Sequence, residues 1–221
     1  MKANFPLLRQ SWTWFLEALF PAKCLVCHEE GSYLCSNHKK FQTAPINQAI
    51  FEYLDTIHAA VKYYEPTAEK LVEYLKFHGF RELADIMAEE MVHSFPNNFR
   101  GNVLLVPIPL HWSRKFWRGF NQAELIAQAI QKKNPDVSVF SLLKRCRRTR
   151  QQSLLPRHQR IVNMQNAFCV PSDIPPKSKE KNIILIDDVV ATGATLDAAA
   201  KTLKKKGFKH VQAVVFARGG Q

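Results

Sequence analysis

Residues 183–195 read Ile183-Ile184-Leu185-Ile186-Asp187-Asp188-Val189-Val190-Ala191-Thr192-Gly193-Ala194-Thr195, and this stretch decides the fold. Its apolar start is mostly β-branched, which is typical of a strand buried on both faces of a parallel sheet. After the loop, an apolar stripe at helical spacing and a further apolar run predict a helix and a second strand, which together make a βαβ unit. The stripe is Leu196, Ala199, Ala200 and Leu203, and the second strand is Val211–Phe216.

The same stretch predicts a site for a sugar phosphate. Ligands of open α/β sheets bind beyond the carboxyl ends of the strands, so Asp187 and Asp188 are expected at the sheet edge, where they can accept hydrogen bonds from sugar hydroxyls. The helix N-terminus and the loop amides favour a phosphate. A polar strand end of an ordinary βαβ unit is the alternative. The predicted phosphate-binding residues are Val189, Ala191, Thr192, Gly193, Ala194 and Thr195.

A second anion site is predicted after Val103–Val106, which we expect to be the first strand of the main sheet. Two prolines after a strand impose a rigid, extended exit that can present backbone amides to pyrophosphate. An ordinary βα loop, with exposed basic residues up to a helix at 123–132, is an equal alternative. The predicted pyrophosphate loop is Pro107, Ile108, Pro109, Leu110 and His111.

The net charge is +12 over 221 residues, and such an excess favours polyanionic partners. Residues 137–172 contain no Asp or Glu, and 147–157 is predicted to be a mobile lid, a loop that follows a nucleic-acid backbone, or a solvated charge run. The arginines expected in the lid or on nucleic acid are Arg114, Arg118, Arg147, Arg148, Arg150 and Arg157. Four interleaved aromatic residues can stack on unpaired bases, although core packing is favoured for at least two of them. They are Trp112, Phe116, Trp117 and Phe120.

The N-terminal cysteines predict a structural zinc site. Two ligand pairs, each with two intervening residues, can clamp a tetrahedral ion. The predicted ligands are Cys24, Cys27, Cys35 and His38, with His28 competing for the fourth position. We expect Cys146 and Cys169 to be ordinary thiols, because a chain without a secretion signal seldom forms disulfides. No apolar run is long enough to span a bilayer, and a cytoplasmic location is expected.

Further patterns set the organisation. We place a helix at Phe5–Phe20 and divide the chain into an N-terminal helix with a zinc-finger-like segment, residues 1–56, and a larger domain, residues 57–221. In the larger domain the patterns predict a strand at Ile57–Tyr64, helices over 66–77 and 82–93, and a strand at Val137–Leu143.

Two resemblances sharpen these expectations. Asp187–Thr195 resembles the motif of type I phosphoribosyltransferases that binds phosphoribosyl pyrophosphate (PRPP). Together with the cysteine module and several further strings, it resembles the ComF family of competence proteins, whose members typically carry cysteine where this chain has His38. The further strings are Val106–Leu110, Arg118–Gln122, Arg147-x-Thr149-x-x-Gln152, Arg160-x-x-Asn163 and Asn166–Phe168. The resemblance implies an α/β fold like that of the type I phosphoribosyltransferases, with a mainly parallel sheet flanked by helices, fused to a small zinc-binding segment.

The resemblance implies a cytoplasmic role in natural transformation on incoming single-stranded DNA, with PRPP and Mg²⁺ bound and other competence or recombination proteins as further partners. The alternative is an active phosphoribosyltransferase of nucleotide metabolism that transfers phosphoribose from PRPP to an unidentified acceptor. In that enzyme Asp187 and Asp188 are the catalytic residues, which stabilise the charge that develops on the ribose ring as pyrophosphate leaves.

Overall fold

The computed structural model describes residues 21–44, 51–95, 103–147, 164, 166–171, 178 and 180–219. The chain divides into two compact units, residues 1–41 and residues 42–221. The helix predicted at Phe5–Phe20 lies outside the described residues, as do Arg148, Arg150 and Arg157.

The second unit alternates strands and helices. Its elements are β1 (Ile57–Lys62), α1 (Pro66–Glu73), a π-helix (Tyr74–His78), α2 (Leu83–His93), β2 (Val103–Pro107), α3 (Trp112–Arg118), α4 (Gln122–Lys133), β3 (Val137–Val139), β4 (Lys144–Arg145), β5 (Phe168–Cys169), β6 (Asn182–Val190), α5 (Ala194–Lys204) and β7 (Val211–Arg218). Five of the strands form one parallel sheet in the order β1-β7-β6-β2-β3. This arrangement confirms the predicted α/β class with a parallel sheet.

The centre of the sheet follows the sequence pattern closely. Ile183–Ile186 are completely buried, as a strand covered on both faces requires. The apolar stripe of α5 is buried in one core cluster with Ile183 and Leu185 of β6. Residues 183–204 therefore form the predicted strand, loop and helix.

The edge of the sheet differs from the prediction. Val103–Val106 is not the first strand of the sheet, because β1 pairs in parallel with β7 along the opposite edge. The sequence shows β1 as a strand, but its partner lies more than 150 residues further along the chain, and such a non-local pairing leaves no local signal. The strand predicted over 137–143 is also shorter than expected: only Val137–Val139 joins the sheet, while Leu142 and Leu143 are buried outside it.

Two helical segments also depart from the predictions. The helix expected over 66–77 changes after Glu73 into the π-helix, which ends at Gly79 in the left-handed conformation with φ 78°. Residues 112–118, expected to form a loop, make the helix α3, which begins after His111 and ends at Gly119 with φ 78°. The helix expected at 123–132 is confirmed as α4.

The expectation of two ordinary thiols is wrong. Cys146 and Cys169 form a disulfide, with their Cα atoms 5.9 Å apart. The antiparallel pair β4–β5 aligns Arg145 with Phe168 and so brings the two cysteines together across 23 residues. The sequence gives no sign of this pairing, because each of these strands has only two residues.

Candidate functional site

The candidate site lies where the order of strands reverses. From β2 the chain adds β3 on one side and β6 and then β7 on the other, so the switch point falls between β2 and β6. Ligands of doubly wound sheets bind in the crevice outside the carboxyl ends of the strands at such a point. This topology brings together the two segments that the sequence marks as anion sites, 107–111 after β2 and 187–195 on β6.

Asp187 and Asp188 stand at this crevice, but inside a strand rather than after it. β2 ends where Pro107 aligns with Ile186, whereas β6 stays paired with β7 as far as Val190. Asp187 is therefore the first residue of β6 that has no neighbour on β2. The acidic pair lies at the end of the crevice while its backbone is still held by β7.

The loop that precedes α5 is shaped by Gly193. This residue adopts φ 78°, which favours glycine, and it begins α5. A Cβ added there would come within 2.5 Å of the Phe51 ring. Nearby, the Asp197 carboxylate accepts hydrogen bonds from the backbone N–H groups of Tyr53 and Leu54, both at 2.9 Å. The segment that leads into β1 is thus fastened against the loop and the first turn of α5.

The proline-rich segment is held in place on the other side of the crevice. The N–H group of Ile108 donates to the Ile186 carbonyl at 2.9 Å, and the Asn121 side chain donates to the Ile108 carbonyl at 3.0 Å. His111 is buried, and its Nδ1 accepts the Ser113 N–H at 3.3 Å, which caps α3. The segment Pro107–His111 therefore passes directly beside the residue that precedes Asp187.

The two carboxylates differ in surroundings. Asp188 is 3% exposed, forms an ion pair with Lys76 of the π-helix, and accepts a hydrogen bond from Gln122 Nε2 at 3.4 Å. Asp187 is half-buried, and its Oδ1 accepts the backbone N–H of Asp188 at 2.9 Å. Sequence reasoning missed Lys76, because its pairing depends on the change from α-helix to π-helix.

The ionisation of the pair follows from these contacts. Burial, the Asp188 charge and a hydrogen bond between the two side chains raise the pKa of Asp187 well above its usual range. Burial also opposes ionisation of Asp188, but the charge and hydrogen bond of Lys76, aided by Gln122, lower the pKa of Asp188. Asp188 is therefore ionised at neutral pH, and Asp187 holds its proton more tightly than an ordinary aspartate does.

Two arginines, Arg118 and Arg145, interact with the acidic pair, and both of them also interact with Arg114. Burial lowers the pKa of Arg145 to about 10, the Arg114 charge acts in the same direction, and Asp187 opposes both. Burial also lowers the pKa of Arg118, which interacts with both carboxylates and with Arg114. Cations that repel one another beside a crevice favour a bound anion. Arg145 was not among the predicted site residues, and Arg147 is exposed.

Helix α3 carries an exposed aromatic and basic surface. None of its residues is buried: Trp112 is 73%, Phe116 81% and Trp117 88% exposed. Of the four interleaved aromatic residues only Phe120 is buried, so the expectation of core packing for at least two of them is wrong. Arg118 joins this surface to the acidic pair, because it donates to Gln122 Oε1 at 2.5 Å and lies 5.5 Å from the centre of the Phe77 ring.

The first unit holds a cluster of metal-ligand side chains. The donor atoms of Cys24, Cys27, Cys35 and His38 lie within 4.8 Å of one another. The Cys27–Cys35 sulfur separation is 3.7 Å, and His38 Nδ1 lies 3.7 Å from Cys24 Sγ and 3.2 Å from Cys35 Sγ. Tetrahedral zinc bonds require about 3.8 Å between two sulfurs and about 3.6 Å between sulfur and nitrogen. The cluster is therefore compatible with structural zinc, and His38 rather than His28 completes it.

Several known proteins are similar to this chain in sequence, and one family model matches part of it. A family model described as a phosphoribosyl transferase domain matches residues 118–221. "DNA utilization protein YhgH" of Salmonella typhimurium is 31% identical over 159 residues, which cover 69% of this chain and 68% of that protein. "Competence protein F" of Haemophilus influenzae is 32% identical over 117 residues, covering 52% of this chain and 49% of that protein. "Competence protein ComFC" of Bacillus subtilis is 30% identical over 145 residues, covering 65% of this chain and 56% of that protein.

The matched region thus spans about half the length of the Haemophilus influenzae protein. Among solved structures, a hypoxanthine phosphoribosyltransferase from Staphylococcus aureus aligns with a TM-score of 0.37 and 14% identity, covering 61% of this chain and 62% of that one. Within the described residues, no helix combines the length and apolarity needed to cross a membrane.

Proposed function

The chain belongs to the ComF family, and on that premise we propose that it binds PRPP, together with Mg²⁺, in the crevice between β2 and β6. One observation carries the proposal: the strand, the loop with Gly193 and the N-terminus of α5 stand at the switch point, beside the segment 107–111. In this arrangement Ala191–Thr195 hold the 5′-phosphate, the acidic pair meets the ribose, and Pro107–His111 with the neighbouring arginines hold the pyrophosphate.

Mg²⁺ enters with the ligand in this proposal. A magnesium ion bound mainly by substrate phosphates needs few protein ligands, so the site requires no dedicated metal motif. The lid over 147–157 stays a prediction. Of its arginines, only Arg147 lies within the described residues.

Calorimetry tests the proposal directly. PRPP with Mg²⁺ is titrated into the full chain, with ribose 5-phosphate and pyrophosphate as partial ligands. We expect heat of binding from PRPP, weaker binding of each partial ligand, and loss of binding in Asp187→Asn/Asp188→Asn. Wild-type protein that gives no heat with PRPP would contradict the proposal.

We further propose single-stranded DNA as a partner, because α3 presents exposed aromatic rings among basic side chains. Stacking on aromatic side chains and phosphate contacts by cations are the two components of single-strand binding. The names of the relatives, "Competence protein F" and "DNA utilization protein YhgH", support this role in DNA uptake. A salt series measures it: log affinity should fall linearly with log salt, and a flat response contradicts the proposal.

An active transferase of nucleotide metabolism is the alternative, and it is recognised by turnover of PRPP. In that case pyrophosphate is released when PRPP is incubated with an acceptor. Binding of PRPP without pyrophosphate release in the presence of any common nucleobase favours a ligand site that serves the DNA-handling role. In either case, zinc in the Cys24–His38 cluster is structural, since four protein ligands leave no open position. We propose a cytoplasmic location for both functions.

A further inference from the structure

Asp188 belongs to a closed circuit of side-chain contacts. Lys76 pairs with the Asp188 carboxylate, and Gln122 donates to its other oxygen. Arg118 donates to Gln122 and lies over the ring of Phe77, the residue next to Lys76. This circuit of contacts joins four elements of the second unit: the π-helix, α3, α4 and β6.

The circuit of contacts includes Asp188 but not Asp187, so the two side chains differ in accessibility. Both oxygens of Asp188 already have a partner, and the side chain is almost entirely buried. Asp187 is more accessible, and its side chain meets the backbone N–H of Asp188. An arriving ribose therefore finds Asp187 accessible and Asp188 committed to its neighbours.

Lys76 owes its position to the π-helix. α1 ends at Glu73, and the next five residues follow the wider π path before Gly79 terminates it. The Lys76 side chain is mostly buried, yet it carries three N–H donors, all suited to oxygen acceptors.

We propose that Lys76 is a positioning residue of the phosphoribosyl site: its ammonium group holds Asp188 as a fixed anion against Gln122, and Asp187 is the carboxylate that receives the ribose hydroxyl. This inference rests on the proposed function. Under this proposal the two carboxylates are not equivalent: Asp187 contacts the ligand, and Asp188 orients the site.

The charged and titratable groups around the pair come from several elements. Those that interact with Asp188 are Asp187 on its own strand, Lys76 on the π-helix, Arg118 on α3 and Tyr63 after β1; Arg145 interacts with Asp187. Lys76 is the one that both pairs with Asp188 and directly opposes its protonation. Without Lys76, the pair takes up protons more readily, because two buried carboxyls then repel each other with less compensation.

The test measures PRPP affinity against pH in the full chain, for wild type, Lys76→Met and the matched control Lys132→Met, an exposed lysine on α4. We expect Lys76→Met to weaken binding about tenfold or more at pH 7. The loss should shrink as pH rises, because a higher pH ionises the carboxyls that Lys76 no longer helps to ionise. Lys132→Met should follow wild type at every pH. Equal affinity and an equal pH profile for Lys76→Met and wild type would overturn the proposal.

A double-mutant cycle separates positioning from direct contact. If Lys76 acts through Asp188, the variant Lys76→Met/Asp188→Asn should bind no more weakly than the weaker single variant. If the two losses add in full, Lys76 meets the ligand by itself and the proposal fails. The double variant also serves if Lys76→Met does not fold, since it removes both buried charges together. It should then still bind more weakly than wild type, and wild-type affinity would overturn the proposal.

A measurement without ligand keeps this proposal separate from the PRPP proposal. The pH dependence of the thermal midpoint should differ between Lys76→Met and wild type, whereas Lys132→Met should show the wild-type dependence. Wild-type protein that gives no heat with PRPP refutes the proposed function alone. An unchanged pH dependence in Lys76→Met refutes the role of Lys76 alone.

Discussion

The ring of Phe51 lies against Gly193, so close that a Cβ on the glycine would stand 2.5 Å from Phe51 Cε1. The loop before α5 is therefore closed on one side by a residue from the segment that leads into β1. Asp197 fixes the same segment through the N–H groups of Tyr53 and Leu54. The segment that leads into β1 is thus held against one side of the loop that precedes α5.

Gly193→Ala should damage this loop for two reasons. Alanine is strained at φ 78°, and its methyl group would displace Phe51. We expect a loss of stability of about 1–3 kcal/mol and a loss of PRPP binding, measured by chemical denaturation and calorimetry. Gly79→Ala is the matched control, because it has the same φ but no atom within 4 Å of the added Cβ. Equal effects of the two substitutions would show that contact with Phe51 is unimportant.

Asp187→Asn should stabilise the protein at neutral pH. The pKa of Asp187 is raised in the folded state, so the folded protein binds this proton more tightly than the unfolded chain. Stability conferred by that proton is present at low pH and is lost as pH rises through the raised pKa. Asparagine keeps the oxygen that accepts the Asp188 N–H and carries no charge. Thermal unfolding should show a higher midpoint than wild type at pH 7 and little difference near pH 3. A variant less stable than wild type at pH 7 contradicts the prediction.

Trp117→Ala should weaken single-stranded DNA binding without destabilising the fold. The side chain is almost fully exposed, so its removal should change the free energy of unfolding by less than about 0.5 kcal/mol. The loss of one stacked base corresponds to about 1–3 kcal/mol of binding free energy. Phe120→Ala is the contrasting variant, because it removes a buried ring and should cost about 3–5 kcal/mol of stability. Unchanged DNA affinity in Trp117→Ala would exclude this tryptophan from the interface.

Removal of a cysteine ligand should release zinc. Metal analysis should find about one zinc per wild-type chain and almost none in Cys35→Ser, because the remaining ligands no longer complete a tetrahedral site. A chelator should unfold the first unit, since the free energy of metal binding contributes directly to the folding of small metal modules. Cys146→Ser is the control, because Cys146 lies in the disulfide outside the cluster. Loss of zinc from this control, or retention in Cys35→Ser, would contradict the assignment.

The strongest sequence signals were local ones. Ile183–Ile186 and the stripe of α5 predicted a buried strand and an amphipathic helix, because solvent exclusion on a sheet and on one helix face dictates residue type at fixed spacing. The same logic found α4. It failed for α3, since a short helix with no buried residue has no apolar stripe from which to recognise it.

The sequence predicted some residues of the candidate site but not others. Motifs named Asp187, Asp188 and the loop up to Thr195, because those residues are contiguous. Lys76 and Arg145 carried no motif, and their positions depend on a π-helix and on a two-residue strand. The disulfide between Cys146 and Cys169 was hidden for the same reason.

The sequence by itself determined the βαβ unit, the cysteine and histidine spacing and the chemistry of the loop, all of which depend on neighbours a few residues apart. Only the tertiary structure decided that β1 forms the edge of the sheet beside β7, that β2 ends one residue short of Asp187, and that Lys76 forms an ion pair with Asp188. These are contacts between distant parts of the chain. They follow from the way the whole sheet and its helices pack together, and no short segment records them.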